Sequence, residues 1–206
     1  MELYKEDRNC MNEKEWDRLL NIRTSGRDDS RSDQYRYPYE PTPYPVLERL
    51  ARSGYITKRN TLIDYGCGKG RAGFFLAYQV RCYCVGVEYD ERIYKSAMMN
   101  SENAAGRLRI SFVHGRAEHY QVPEEADRFY FFNPFSIEIL RGVISRIRES
   151  WYVYQREMLL LFYYPSDEYI SYLMTVEELL FVDEIDCRDL FDGEDRRERI
   201  VIFSFG

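Results

Sequence analysis

The 206-residue sequence has only two histidines, no Cys-x-x-Cys pair among its five cysteines, no excess of basic residues and no long apolar run. Each shortage excludes something. His114 and His119 do not make a zinc ligand set, and no other grouping has metal-ligand spacing. Cys10, Cys67, Cys82, Cys84 and Cys187 are odd in number and lie mostly in apolar segments, so reduced thiols are expected rather than a disulfide framework. A net charge of −6 argues against a protein that grips nucleic acid by bulk electrostatics. The longest apolar run, Met158 to Tyr164, is far short of the ~20 residues that span a bilayer, and the opening MELYKEDRNC has no apolar stretch of the signal-peptide kind. A cytoplasmic protein without a membrane partner is expected, built as one domain with an extension.

What is present divides at about residue 44. Residues 1–43 read as an extension: EKEWDRLL at 13–20 has the spacing of a short amphipathic helix, and the polar RTSGRDDSRSDQ at 23–34 reads as a loop or mobile arm. Arg23, Arg27, Arg31 and Arg36 give this arm some basic character, within a mixed-charge and solvated whole. YRYPYEPTPYP at 35–45 packs four tyrosines and four prolines into a strap, and Pro45 is placed to open a helix over VLERLARSGY.

From residue 44 to 206 short apolar runs alternate with helical ones. TLIDYG, YCVGVEY, LRISFVHG, RFYFFN and EMLLLFYYP read as strands; RAGFFLAYQV, ERIYKSAMMNSENAA and IEILRGVISRIRES read as helices. FVDEIDCRDL and ERIVIFSF, on either side of an acidic turn, read as a closing antiparallel hairpin. Strands apolar on both faces and alternating with helices predict an α/β fold: three layers, doubly wound, with a mostly parallel sheet of seven strands.

In such a sheet ligands bind beyond the carboxyl ends of the strands. The first strand runs into Asp64-Tyr65-Gly66-Cys67-Gly68-Lys69-Gly70, where the glycines allow a tight loop before a helix N-terminus suited to a polar ligand tail. The second ends in Val87-Glu88-Tyr89, placing an acid for ribose hydroxyls and a ring for a flat base. The third ends in His114-Gly115-Arg116-Ala117-Glu118, a place for a contact to an adenine edge.

An acid two residues before Gly-x-Gly-x-Gly, with Glu88 at the next strand end, resembles the first motifs of the class I S-adenosylmethionine-dependent methyltransferases, over roughly Tyr44 to the C-terminus. The resemblance implies S-adenosyl-L-methionine as cofactor. Asp64 with Gly66, Cys67, Gly68 and Gly70 would hold its methionine portion, Glu88 the ribose, Tyr89 the adenine face, and Ala117 with Glu118 the adenine edge. Where many members carry Asp after the glycine of the third strand, this chain has Arg116.

FYFFNPFS at 129–136 has two readings. In one, Asn133 caps the next helix and Pro134 enters its first turn. In the other, Asn133, Pro134 and Phe135 are a shortened form of the Asn/Asp-Pro-Pro-Tyr/Phe motif of amino-nitrogen methylators, with Phe135 in place of the second proline. The resemblance then implies that Asn133, also beside the cofactor, accepts hydrogens of the attacking nitrogen while Phe135 stacks or excludes water. Tyr37, Tyr39, Thr42 and Tyr44 either close over the cofactor and acceptor or form a packed strap.

Methyl transfer to a nitrogen of a protein side chain or small molecule is therefore the expected function. The alternatives are an inactive cofactor-binding module that acts through protein contacts and a nucleic-acid amino methyltransferase, the latter disfavoured by charge. A nicotinamide oxidoreductase fits the glycine spacing poorly.

Overall fold

The computed structural model describes residues 11–28, 37 and 39–206. Cys10, Arg31 and Arg36 lie outside them, as does most of the 29–38 stretch.

The first helix, Glu13–Leu20 (α1), is set by its ends. The Asn12 side chain accepts from Lys14 and Glu15 amides, Glu15 returns a bond to the Asn12 amide, and Asn21 closes the helix at φ 54°. Tyr44–Arg52 (α2) has Pro45 in its first turn, where a missing N–H costs nothing. It begins two residues before the segment expected from the sequence and stops before Gly54. Then follow Thr61–Tyr65 (β1), Arg71–Gln79 (α3), Tyr83–Glu88 (β2), Glu91–Asn103 (α4), Ile110–His114 (β3), Arg128–Phe132 (β4), Ile137–Val153 (α5), Leu159–Tyr163 (β5), Asp167–Leu173 (α6), Leu179–Asp186 (β6) and Arg199–Phe205 (β7). Helix α6 is not foreseen from the sequence; Ser166 caps it and Tyr169 and Leu173 anchor it. Among the described residues no helix is long and apolar enough to cross a membrane.

The sheet order is β3-β2-β1-β4-β5-β7-β6, with β1 to β5 parallel and β7 antiparallel to both its neighbours. The order reverses between β1 and β4, so the chain leaves those two strands in opposite directions and opens a cleft above their carboxyl ends. Side chains alternate between two cores. Ile63, Tyr65, Phe129, Phe131 and Phe162 pack against α5 and α6, whereas Leu62, Cys84, Tyr130 and Leu161 pack against α1, α2 and α3. Asp64 shares the period-two parity of Leu62 and so faces the α3 side.

The N-terminal residues are part of this second core. Trp16, only 6% exposed, lies edge-on to Phe75, stacks on Tyr44, and its Nε1 donates to Glu48 at 3.0 Å. Thr24, in the segment that reads as a mobile arm, is fully buried.

Replacing Trp16 with alanine removes a buried ring from a core shared by arm and domain. We expect Trp16→Ala to lower unfolding free energy by about 3–5 kcal/mol in one cooperative urea transition. An early transition confined to residues before 44, with the main one unmoved, would show that the arm is not built into the core.

Candidate functional site

The cleft is a cavity of about 1070 Å³ counting its mouth, lined among others by Asp64, Gly66, Cys67, Gly68, Glu88, Tyr89, Ala117, Glu118, Pro134 and Phe135. Four successive parallel-strand ends thus meet in one place, as the order of motifs predicts.

Gly66 and Gly68 must be glycine for two reasons. Both have positive φ, 70° and 58°, and a Cβ would stand 2.4 Å from Pro134 Cβ at the first and 2.2 Å from the Tyr39 ring at the second. The loop amides do not point outward as a free cradle. Gly66 and Cys67 N donate to Val87 O, Gly70 N to Cys67 O, and Gly68 N to Glu88 Oε2 at 2.9 Å. The loop is thereby laced to β2. Glu88 Oε1 accepts from the Asp90 amide at 2.8 Å, and the carboxylate keeps acceptor capacity for a ligand hydroxyl.

Two expected residues are not among those that line the cavity, although Asn133 stands between Phe132 and Pro134, which do. Gly70, at φ 89°, is the N-cap of α3 and is closed in by Phe112 and Phe74; it does not line the cavity. Asn133 is also absent from the lining. It is not a helix cap either, because Ser136 holds that position and α5 starts at Ile137, which removes Pro134 from the first helical turn. Asn133 sits at φ 40° with its Oδ1 buried and without a hydrogen-bond partner. The neighbouring strand behaves likewise: Tyr164, just past β5, has φ 52°, and its ring meets Phe132 edge-on at 6.3 Å.

Tyr89 is 45% exposed at the mouth, with the Arg116 guanidinium 5.9 Å from its ring centre. Ala117 and Glu118 lie in a short 3-10 turn after β3, held close by Gly142 of α5.

The strap reaches the site. Tyr37 N donates to Pro134 O at 3.3 Å, Tyr39 pairs with Asp28 through both backbone groups, and Tyr37, Tyr39 and Thr42 line the cavity. Thr42 Oγ1 bonds Tyr130 OH at 3.0 Å. Tyr44 does not line the cavity: it is fully buried with its hydroxyl donating to Asp17 at 2.7 Å.

The residue missed by sequence reasoning is Arg71. It lines the cavity at 3% exposure, at the first position of α3. Its Nε donates to Thr24 Oγ1 at 2.7 Å, its Nη1 to Glu13 and to Thr42 O, and its guanidinium lies 4.5 Å from the Tyr44 ring centre. The hydrogen-bond partners are 29 to 58 positions away, beyond the reach of any local pattern.

Residues 62–150 match the family described as "Methyltransferase domain". A protein-lysine N-methyltransferase from Saccharolobus islandicus (strain REY15A) is 30% identical over 88 residues, 42% of this chain and 55% of that protein. The chain therefore matches little more than half the length of this relative. Among solved structures, a protein in the NADB-Rossmann superfamily from Streptococcus agalactiae superposes with a TM-score of 0.59 at 15% identity, covering 78% of this chain and 68% of that one. A TehB-like SAM-dependent methyltransferase from Corynebacterium glutamicum ATCC 13032 Kitasato gives 0.56 at 16% identity, with 78% and 88% covered. These two likenesses are of fold.

Burial, and secondly the charge of Glu88, push the Asp64 carboxyl up to about 7. Burial also raises Glu88 above the usual carboxylate range. An unfolded aspartate titrates near 3.9, so between about pH 4 and 7 the folded protein binds more protons than the unfolded one and stability falls as pH rises through that window. Urea midpoints should drop from pH 5 to 8, and Asp64→Asn should flatten the fall by raising stability at pH 8. A slope unchanged in Asp64→Asn would assign it to another group.

Proposed function

We propose, on the premise that residues 62–150 belong to the methyltransferase-domain family and fold as a class I Rossmann-like domain, that the chain moves a methyl group from S-adenosylmethionine to an amino nitrogen. The cofactor supplies an electrophilic methyl carbon on a sulfonium. The residues present fit such a group. Asp64 at the β1 end offers a carboxylate to an ammonium, Glu88 keeps acceptor capacity for ribose hydroxyls, and Tyr89 with Ala117 and Glu118 forms a rim suited to a flat base.

Asn133 carries the acceptor reading. A buried carboxamide oxygen without a partner costs about 1–3 kcal/mol, and a donor on the incoming nitrogen would recover it. The left-handed backbone at Asn133 turns the chain sharply off β4 beside Pro134, whose Cβ packs on Gly66. Asn133 would hold the acceptor nitrogen there by accepting its hydrogens, and the bound cofactor would supply the methyl group, its sulfonium sulfur becoming a neutral thioether as the methyl passes to nitrogen and the nitrogen's extra proton going to solvent. Alignment of this kind lowers the barrier without an acid or base of high strength. Phe132, which lines the cavity, provides an apolar wall beside which an attacking amine loses its proton more readily.

The acceptor is a protein side chain, and lysine is the residue this reading favours. The support is the 30% identity to a protein-lysine N-methyltransferase together with the acidic balance of the chain.

Calorimetry with S-adenosylhomocysteine, with NAD as control, should show binding of the former alone. Asn133→Ala should then cut methyl transfer to a lysine-bearing protein acceptor by about a hundredfold or more while shifting S-adenosylhomocysteine affinity less than about twofold. Equal loss of binding and transfer would place Asn133 in the cofactor site instead. Binding with no transfer to any protein acceptor would favour the module that only binds.

A further inference from the structure

We infer that Arg71, held by the N-terminal arm, is the carboxylate anchor for the amino-acid tail of the cofactor; this rests on the cofactor reading above.

A zwitterionic tail brings a carboxylate as well as an ammonium, and the carboxylate needs donors. The glycine loop has few left, because the amides of Gly66, Cys67, Gly68 and Gly70 are taken up by Val87, Cys67 and Glu88. Among the described residues three cationic side chains line the cavity: Arg71, Arg92 and Arg116. Arg92 pairs with Asp28 at 2.6 Å with half its side chain in solvent, and Arg116 lies over Tyr89 at the mouth. Arg71 alone of the three is buried, and it stands where the glycine loop becomes α3.

Two features give Arg71 capacity for an anion. Its Nη2 has only long contacts, 3.5 Å to Ser25 Oγ and 3.8 Å to Asp17 Oδ1, while Nε and Nη1 are held at closer range. The nearby Asp17 charge is answered by other donors: the Thr24 amide and hydroxyl, the Ser25 hydroxyl and Tyr44 OH. In addition, α3 begins at a glycine with no side chain to cap it, so its first N–H groups add positive potential on the same side. Asp64 and Arg71 would thus take the two ends of the zwitterion separately.

The arm has a defined part in this. Thr24 and Glu13 fix the guanidinium fork, and Asn100 of α4 ties Arg23 to the loop by bonding Arg23 N, Arg23 O and Lys69 O. Arg71 is therefore a binding residue and the arm residues position it.

The test compares three ligands by calorimetry on the full chain: S-adenosylhomocysteine, its decarboxylated form, and 5′-methylthioadenosine, which lacks the amino-acid tail. The wild-type protein should bind S-adenosylhomocysteine about tenfold or more tightly than the decarboxylated form, the size of a charged hydrogen-bonded contact. Arg71→Gln should erase that preference while leaving 5′-methylthioadenosine affinity unchanged, and Arg71→Lys, which keeps the charge but not the fork, should fall between. No preference in the wild-type protein overturns the inference even if Arg71→Gln fails to fold, as does an equal weakening of all three ligands in that variant. Binding of none of the three ligands to wild-type protein would instead sink the cofactor reading itself.

Discussion

A guanidinium taken out of water must be surrounded by acceptors, and much of the upper half of this molecule is arranged around the one at Arg71. Its partners come from α1 and the turn after it and from the strap and the start of α2, so two stretches separated from it in sequence converge on the first residue of α3. Removing any of them would leave an ion poorly paired, which is costly at such burial. The arm is thus fixed to the glycine loop by electrostatics and to the α2–α3 layer by Trp16, Leu20 and Ile22.

The second constraint is topological. The reversal between β1 and β4 makes the cleft, and the residues just past those strands decide what it does. Pro134 against Gly66 joins the two strand ends with little space between them. Glu88 performs a similar joining on the other flank, its two oxygens spanning the loop and the start of α4.

The alternating elements from β1 to β7 were legible because each core strand is a short apolar run bounded by polar turns, and because the acid and glycines after β1 and the acid after β2 are local features. What was not legible depends on distance or geometry. Arg71 follows a glycine like any helix-opening residue, and nothing nearby marks it as buried. Gly70 looks like Gly66 and Gly68 in sequence, but in space it faces Phe112 and Phe74. Asn133 before proline carries every local sign of a cap, yet the backbone makes an extra turn and passes that role to Ser136. Helix α6 is two turns long, too short for a period to declare itself.

The Tyr39 ring lies where a side chain at position 68 would have to be, and its hydroxyl is held by Thr24 O. Loop and strap therefore share one volume. A side chain at position 68 would have to displace that ring besides adopting a strained left-handed backbone, and a strap that lost its ring would expose the loop's inner face to water. The ring at residue 39 thus fills the space that the glycine at residue 68 leaves, although twenty-nine positions separate them.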